Sequence, residues 1–138
     1  MKAGKAANHA KARVVVERIG AEGGVLVLGE HRLTVPAGAV EAPVVFRMRR
    51  AENGFVEVEL TATRAVSNDV GAKGFRRPLV LELGYAGMEA QVDASAMVIA
   101  WVREDGELEP LRSIVDHDRG SVSAELTHFS AYTLAIPK

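Results

Sequence analysis

Apolar side chains in this chain come in short runs in which every second residue is apolar, and residues typical of turns separate the runs. The clearest run is residues 55–63, where Val56, Val58 and Leu60 alternate with polar residues. This period of two places one set of side chains on the core face of a strand and the other set in solvent. The pattern recurs along the chain and predicts an all-β domain, a two-layer antiparallel β-sandwich.

The predicted strands are rich in valine, leucine or isoleucine and end near glycine, proline or acidic turn residues. They are residues 13–19, 25–28, 31–35, 44–48, 55–63, 78–85, 97–102, 108–114, 122–126 and 131–136. A tight turn is predicted at residues 52–54 and a loop at 67–74, while residues 89–96 allow one helical turn at most. Residues 1–11 are polar and rich in alanine and lysine, which predicts a flexible tail or linker before a sandwich domain of residues 12–138.

The alternation also predicts which side chains form the core. The side chains expected to be largely buried occupy the apolar phase of their strands. They are Val58, Leu81, Leu83, Trp101 and Leu126.

Composition removes several classes of function. The chain of 138 residues has no cysteine, which excludes disulfide scaffolds, thiolate nucleophiles and cysteine-based zinc sites. Its net charge of −1 gives no long-range attraction to nucleic acid, so we expect no nucleic-acid partner. No run approaches the roughly 20 apolar residues of a membrane-spanning helix, so we expect no membrane insertion. No signal peptide is recognisable, and the sequence does not predict a compartment.

Residues 116–118, Asp-His-Asp, look at first like part of a metal site. No further ligand lies nearby in sequence, and residues 118–120 have the composition of an ordinary turn. His9 and His31 have no ligand-like spacing to each other or to other candidates. We therefore predict no metal site and no cofactor.

The arginines at residues 47–50 and 76–77 suggest phosphate contact. Arg47 and Arg49 alternate with apolar residues, however, as on a solvated strand face, and no exposed aromatic series lies between them for base stacking. A solvated face is the preferred interpretation.

Four segments carry more specific motifs. Residues 23–26, Gly-Gly-Val-Leu, lead to residues 33–40, which contain an apolar-Pro-x-Gly-Ala-apolar pattern. Residues 74–83 place Phe-x-x-Pro before a strand, residues 101–106 join a tryptophan strand to a glycine turn, and residues 127–132 read Thr-His-Phe-Ser-Ala-Tyr.

In this order the four segments resemble the ZU-five domain family, a β-sandwich module of ankyrins, netrin receptors, tight-junction scaffolds and bacterial proteins, over residues 20–137. The resemblance implies a non-catalytic protein-interaction or structural spacer module. Its partner would be another protein or a neighbouring domain of its own chain, with exposed sheet edges as the contact surface. We expect a monomer.

An alternative function is self-processing, because in some members of that family the Phe–Ser bond of the last motif breaks by itself. Ser130 would attack the carbonyl of Phe129 with His128 as the base, and water would open the resulting ester. This chemistry needs a strained peptide held by the fold. The structural interpretation is a bend at His128 that turns Phe129 into the core, with His128 and Ser130 satisfying backbone groups. Whether the chain is an enzyme in this single-turnover sense stays open at this point.

Overall fold

The computed structural model of the protein describes residues 2–3, 13–51, 56–63, 75–85 and 94–136. Two antiparallel sheets contribute side chains to one shared hydrophobic core. The predicted fold class, an all-β two-layer antiparallel β-sandwich, is confirmed. Within the described ranges, no helix is long and apolar enough to span a membrane.

The larger sheet has seven strands, of which six follow one another in space and the seventh, β1, pairs with β12. The spatial order is β2 (Val14–Ile19), β5 (Val44–Arg50), β6 (Glu57–Thr63), β12 (Ala131–Ile136), β8 (Val98–Val102) and β9 (Leu108–Pro110), with β1 formed by Lys2–Ala3.

The smaller sheet has five strands and lies against the larger one. Its order is β10 (Ser113–Asp116), β11 (Ser121–Leu126), β7 (Leu79–Gly84), β4 (His31–Val35) and β3 (Gly24–Leu28). A single 3-10 turn, Ala94–Ala96, precedes β8 in the described part of the chain.

The predicted strands closely match the strands of the structure, with one exception. Residues 108–114 were expected to form one strand, but they divide into β9 and β10, which belong to different sheets. Pro110 has no N–H to continue a ladder. Ser113 then replaces backbone pairing at the crossing, because its Oγ accepts from the N–H of Ile99 and donates to the carbonyl of Leu111, both at 2.9 Å.

Four of the five predicted core residues are fully or almost fully buried, which confirms the phase of their strands. They are Val58, Leu81, Leu83 and Leu126. Burial of each such side chain contributes about 1.5–3 kcal/mol to the stability of the sandwich.

Trp101 is less buried than the other four predicted core residues. It packs against the core and is partly buried. It pairs with Tyr132 across the β8–β12 ladder, one residue before β8 ends. The alternation of apolar residues in β8 predicts the correct face for Trp101. It does not indicate how near that position lies to the end of the sandwich, where side chains are less covered.

Several predicted segments lie wholly or partly outside the described residues. The turn at residues 52–54 and the loop at 67–74 lie outside them, as does most of residues 89–96. Of the predicted tail, residues 1–11, the structure describes Lys2–Ala3, whose backbone pairs with the end of β12.

Candidate functional site

The motif that suggested self-processing lies where the chain crosses from one sheet to the other. Residues 127–130 form a bend between β11 and β12, so the crossing takes only four residues. Backbone hydrogen bonds fix both ends of this bend. The N–H of Phe75 donates to the carbonyl of Thr127 at 3.1 Å, and the N–H of Leu60 donates to the carbonyl of Ser130 at 3.0 Å.

Phe129 points inward from this bend, as the structural interpretation expects. Its ring lies 4.8 Å from that of Phe75 and 5.8 Å from that of Phe46, measured between centroids. The edge-on and tilted geometries are those that aromatic pairs prefer. Phe129 therefore anchors the bend to the core.

Tyr132 holds the bend from the other side. Its hydroxyl donates to the carbonyl of His128, four residues earlier, at 2.8 Å. A tyrosine hydroxyl that bonds back to the backbone a few residues upstream is a recurrent corner device in β-sandwiches. Burial raises the pKa of Tyr132 well above its ordinary value, so the phenol stays protonated and remains a donor.

The side chains of His128 and Ser130 have different partners. Ser130 Oγ accepts a hydrogen bond from Nε1 of Trp101 at 3.0 Å. His128 Nδ1 lies 3.4 Å from the hydroxyl of Tyr132, and its ring meets Trp101 edge-on at 5.2 Å. Among the hydrogen bonds of the described residues, none joins His128 to Ser130. Serine attack needs a base at the hydroxyl, so this arrangement supports a structural corner better than a nucleophile.

A second polar cluster lies at the turn between β3 and β4, and its centre is His31. His31 is only 1% exposed. Its Nδ1 accepts from the backbone N–H of Gly84 at 3.1 Å, so we assign the proton of the neutral ring to Nε2. Nε2 faces Oε1 of Glu30 at 3.1 Å.

Arg50 reaches this cluster from the opposite sheet. Its Nη1 donates to the same Oε1 of Glu30 at 3.1 Å, and its Nη2 lies 3.4 Å from the carbonyl of Leu28. The hydrogen bond from His31, followed by that from Arg50, lowers the pKa of Glu30 to about 2, although burial acts in the opposite direction. The turn is therefore tied both to its own sheet and to the facing one.

Two glycines make this packing possible. Gly29 has a φ of +61°, and a side chain there would collide with Arg50. A Cβ at position 84 would lie 2.6 Å from the Cβ of Glu30. No local spacing in the sequence indicates this cluster, because the backbone partner of His31, Gly84, is 53 positions away.

A small cavity of about 80 Å³ opens beside this cluster on the five-stranded sheet. Its lining consists of Val27, Gly29, Glu30, His31, Arg32, Glu82, Arg119 and Ser121. It combines charged groups of both signs with one apolar wall.

The predicted turn after β10 is confirmed. Oδ1 of Asp116 accepts from the backbone N–H groups of Asp118 and Arg119, each at 3.1 Å, which is an aspartate capping a turn. Within the described ranges, no three His, Cys, Asp or Glu side chains come together as a metal site would require.

The arginines at residues 47–50 and 76–77 are exposed or form ion pairs. Arg47 is exposed, and Arg49 pairs with Glu59 across the ladder. Arg76 pairs with Glu41 at 2.7 Å, with both side chains mostly exposed. Exposed pairs of this kind contribute little to stability.

The two edge strands β2 and β3 follow each other along the chain and lie on the same side of the sandwich, one in each sheet. Ile19, at the end of β2, contacts the position of Gly24, where β3 begins. Both strands expose valines: Val25 is 43% and Val27 is 52% exposed on β3, and Val14 and Val16 are similarly exposed on β2.

Comparisons with protein-family models and with curated proteins find no match to this chain. The resemblance to the ZU-five domain family therefore rests on the four sequence motifs and stays a prediction.

Proposed function

We propose that this domain is a non-catalytic interaction module that binds an extended segment of a partner protein along its β2–β3 side. The observation that carries the proposal is β3 itself. Its five residues, Gly24–Leu28, include no charged residue and no proline, and within the described residues no strand pairs with its outer side. Natural proteins usually protect such an edge, because its free backbone groups accept another strand.

The edge strands on the opposite side of the sandwich are less suited to accept an added strand than β2 and β3. There the edge strands are β9, three residues that include Pro110, and β10, four residues that end in Asp116. Short length, proline and charge are ordinary means of discouraging strand addition. The β2–β3 side has longer strands and exposes valine instead.

The residues next to the exposed valines indicate the chemistry of the partner. Val27 is paired with Arg32, and Val16 with Arg47, so these two exposed valines each have an arginine one strand further in on the same outer face. Neither arginine forms an ion pair within the described residues. Successive side chains of an added strand lie on opposite faces of the sheet. A segment that alternates apolar and acidic residues would therefore place its acidic side chains on the outer face, beside the valines and toward these arginines, and its apolar side chains on the inner face.

A peptide of alternating valine and glutamate, about eight residues long, tests the proposal. Titrated into the protein and followed by NMR, it should shift backbone amides of β2 or β3 and leave those of β9 and β10 unchanged. A matched peptide with lysine in place of glutamate should bind far more weakly, because it meets the arginines with like charge.

Two matched variants locate the binding surface. Val27→Lys places a charge on the proposed edge and should abolish peptide binding. Ile114→Lys places the same charge on the exposed outer face of the opposite edge strand, where Ile114 is 71% exposed, and should leave binding intact. Equal binding by both variants would contradict the proposal.

A further inference from the structure

The core side of edge strand β2 carries a charged residue, Glu17. Glu17 pairs with Phe46 across the β2–β5 ladder, and residues paired in this way place their side chains on the same face of the sheet. Phe46 is fully buried in the core, so Glu17 also lies on the core side of the larger sheet. Glu17 is nevertheless exposed, whereas Ile19, two residues later on the same side, is buried. Its carboxylate therefore reaches solvent at the open side of the sandwich, between the outer edges of β2 and β3.

No described cation neutralises this carboxylate. Within the described residues, Glu17 forms no ion pair. The residues on the core side of β3, Leu26 and Leu28, are apolar and almost fully buried. The open side thus combines apolar side chains from β3 with a negative charge from β2.

Glu17 also distinguishes the two edge strands as acceptors of an added strand. A charge that points inward from an edge strand is a common means of preventing strand addition to that strand. On this side of the sandwich, β2 carries such a charge and β3 carries none. We therefore expect the bound segment of the proposed function to pair with β3 rather than with β2.

A strand added to β3 would lie close to Glu17. It would extend the smaller sheet by about 4.8 Å, and its inner side chains would point toward the larger sheet. The edges of the two sheets are close here, because Ile19 at the end of β2 contacts the position of Gly24, where β3 begins. Facing side chains of packed sheets meet in the space between the sheets. An inner side chain of the added segment would therefore meet the carboxylate of Glu17.

We propose that Glu17 selects a basic side chain on the inner face of the bound segment. Lysine or arginine there would pair with the carboxylate, whereas an apolar side chain would remove water from it and offer no hydrogen bond in return. The neighbouring inner side chain would be apolar, because Val15, two residues from Glu17 on the same side, is partly buried against the core. This inference rests on the proposed function and adds to the partner one basic position on the face opposite its acidic residues.

The peptide of alternating valine and glutamate, about eight residues long, provides the test. Each valine, which lies on the inner face, is replaced in turn by lysine or by glutamine, and dissociation constants are measured by NMR at constant ionic strength. At the position that meets Glu17, the lysine peptide should bind about two- to fivefold more tightly than the glutamine peptide, the effect of an opposite-charge pair between adjacent side chains. At the other positions, lysine should bind no more tightly than glutamine.

Variants of the protein show whether the carboxylate causes this preference. In Glu17→Gln the advantage of lysine over glutamine should disappear, and in Glu17→Lys it should reverse. Both variants change an exposed side chain and should fold as the wild type does. The matched control Glu125→Gln removes an exposed carboxylate from the outer face of β11 and should keep the preference for lysine.

The outcomes separate this inference from the proposed function. A preference for lysine that survives in Glu17→Gln would overturn the inference and leave the proposed function standing. Binding of the parent peptide with no preference for lysine at any position would do the same. If no peptide of the series binds to the wild type, the proposed function fails, and this inference fails with it.

Discussion

Two regions of this sandwich are each built around a histidine beside a strand, and they use it in different ways. At the corner of residues 127–132, His128 is half-buried and lies against neutral groups, namely the ring of Trp101 and the hydroxyl of Tyr132. At the β3–β4 turn, His31 is buried and accepts a backbone N–H with one nitrogen while the other faces a carboxylate.

The two histidines show that a local sequence motif does not indicate how much a residue contributes to the structure. The corner looked reactive in the sequence because a histidine, a scissile-type peptide and a serine are adjacent. In the structure the backbone of that segment is held by Tyr132 and by neighbouring strands, and Phe129 packs against the core. The His31 cluster has no local motif, yet it links both sheets through Glu30 and Arg50.

The largest expected difference is between removing the two histidines. His31→Ala leaves the N–H of Gly84 without its acceptor in a buried position and opens a cavity, so it should lower the free energy of unfolding by about 2–4 kcal/mol. His128→Ala removes a half-buried ring with one long hydrogen bond and one edge-on ring contact, and should lower it by about 1 kcal/mol. Urea unfolding of both variants measures the difference. Equal losses would show that the corner depends on its histidine as much as the turn does.

A second, smaller effect concerns acid stability at the Glu30 cluster. The pKa of Glu30 in the folded protein, about 2, lies below its ordinary value of 4.5. The ionised carboxylate therefore stabilises the fold above about pH 4.5, and this contribution is lost as the pH falls from 4.5 toward 2. Because Glu30 is partly exposed, solvent screening reduces the contribution to about 1–2 kcal/mol.

Glu30→Gln provides the measurement. The variant should be less stable than the wild type at pH 6, and the gap should narrow as the pH falls through this window. Glu59→Gln is a suitable control, since Glu59 also pairs with an arginine but on an exposed strand face. A gap for Glu30→Gln that stays constant from pH 6 to pH 2.5 would contradict the assigned role of the carboxylate.

The two regions also show what the sequence could predict. Alternation in residues 55–63 and 78–85 depends on local geometry, so the strands, their buried faces and the sandwich could be predicted. The contact of His31 with Gly84 depends on the register of two strands far apart in the chain, which no local pattern encodes. The half-burial of Trp101 likewise depends on where β8 ends relative to the other sheet.

The smallest expected effect is at Ser130, and it decides between the two interpretations of the corner. As a structural residue, Ser130 only accepts a hydrogen bond from the half-buried indole of Trp101. Ser130→Ala should then lower the free energy of unfolding by about 1 kcal/mol, and the wild-type chain should keep its intact mass of 14.8 kDa after long incubation at neutral pH. Hydroxylamine, which would intercept an ester at Phe129, should release no fragment, because no base lies against the serine hydroxyl in the described corner. Cleavage between Phe129 and Ser130 in the wild type, absent from Ser130→Ala and slowed in His128→Ala, would instead establish self-processing and displace the structural interpretation of this corner.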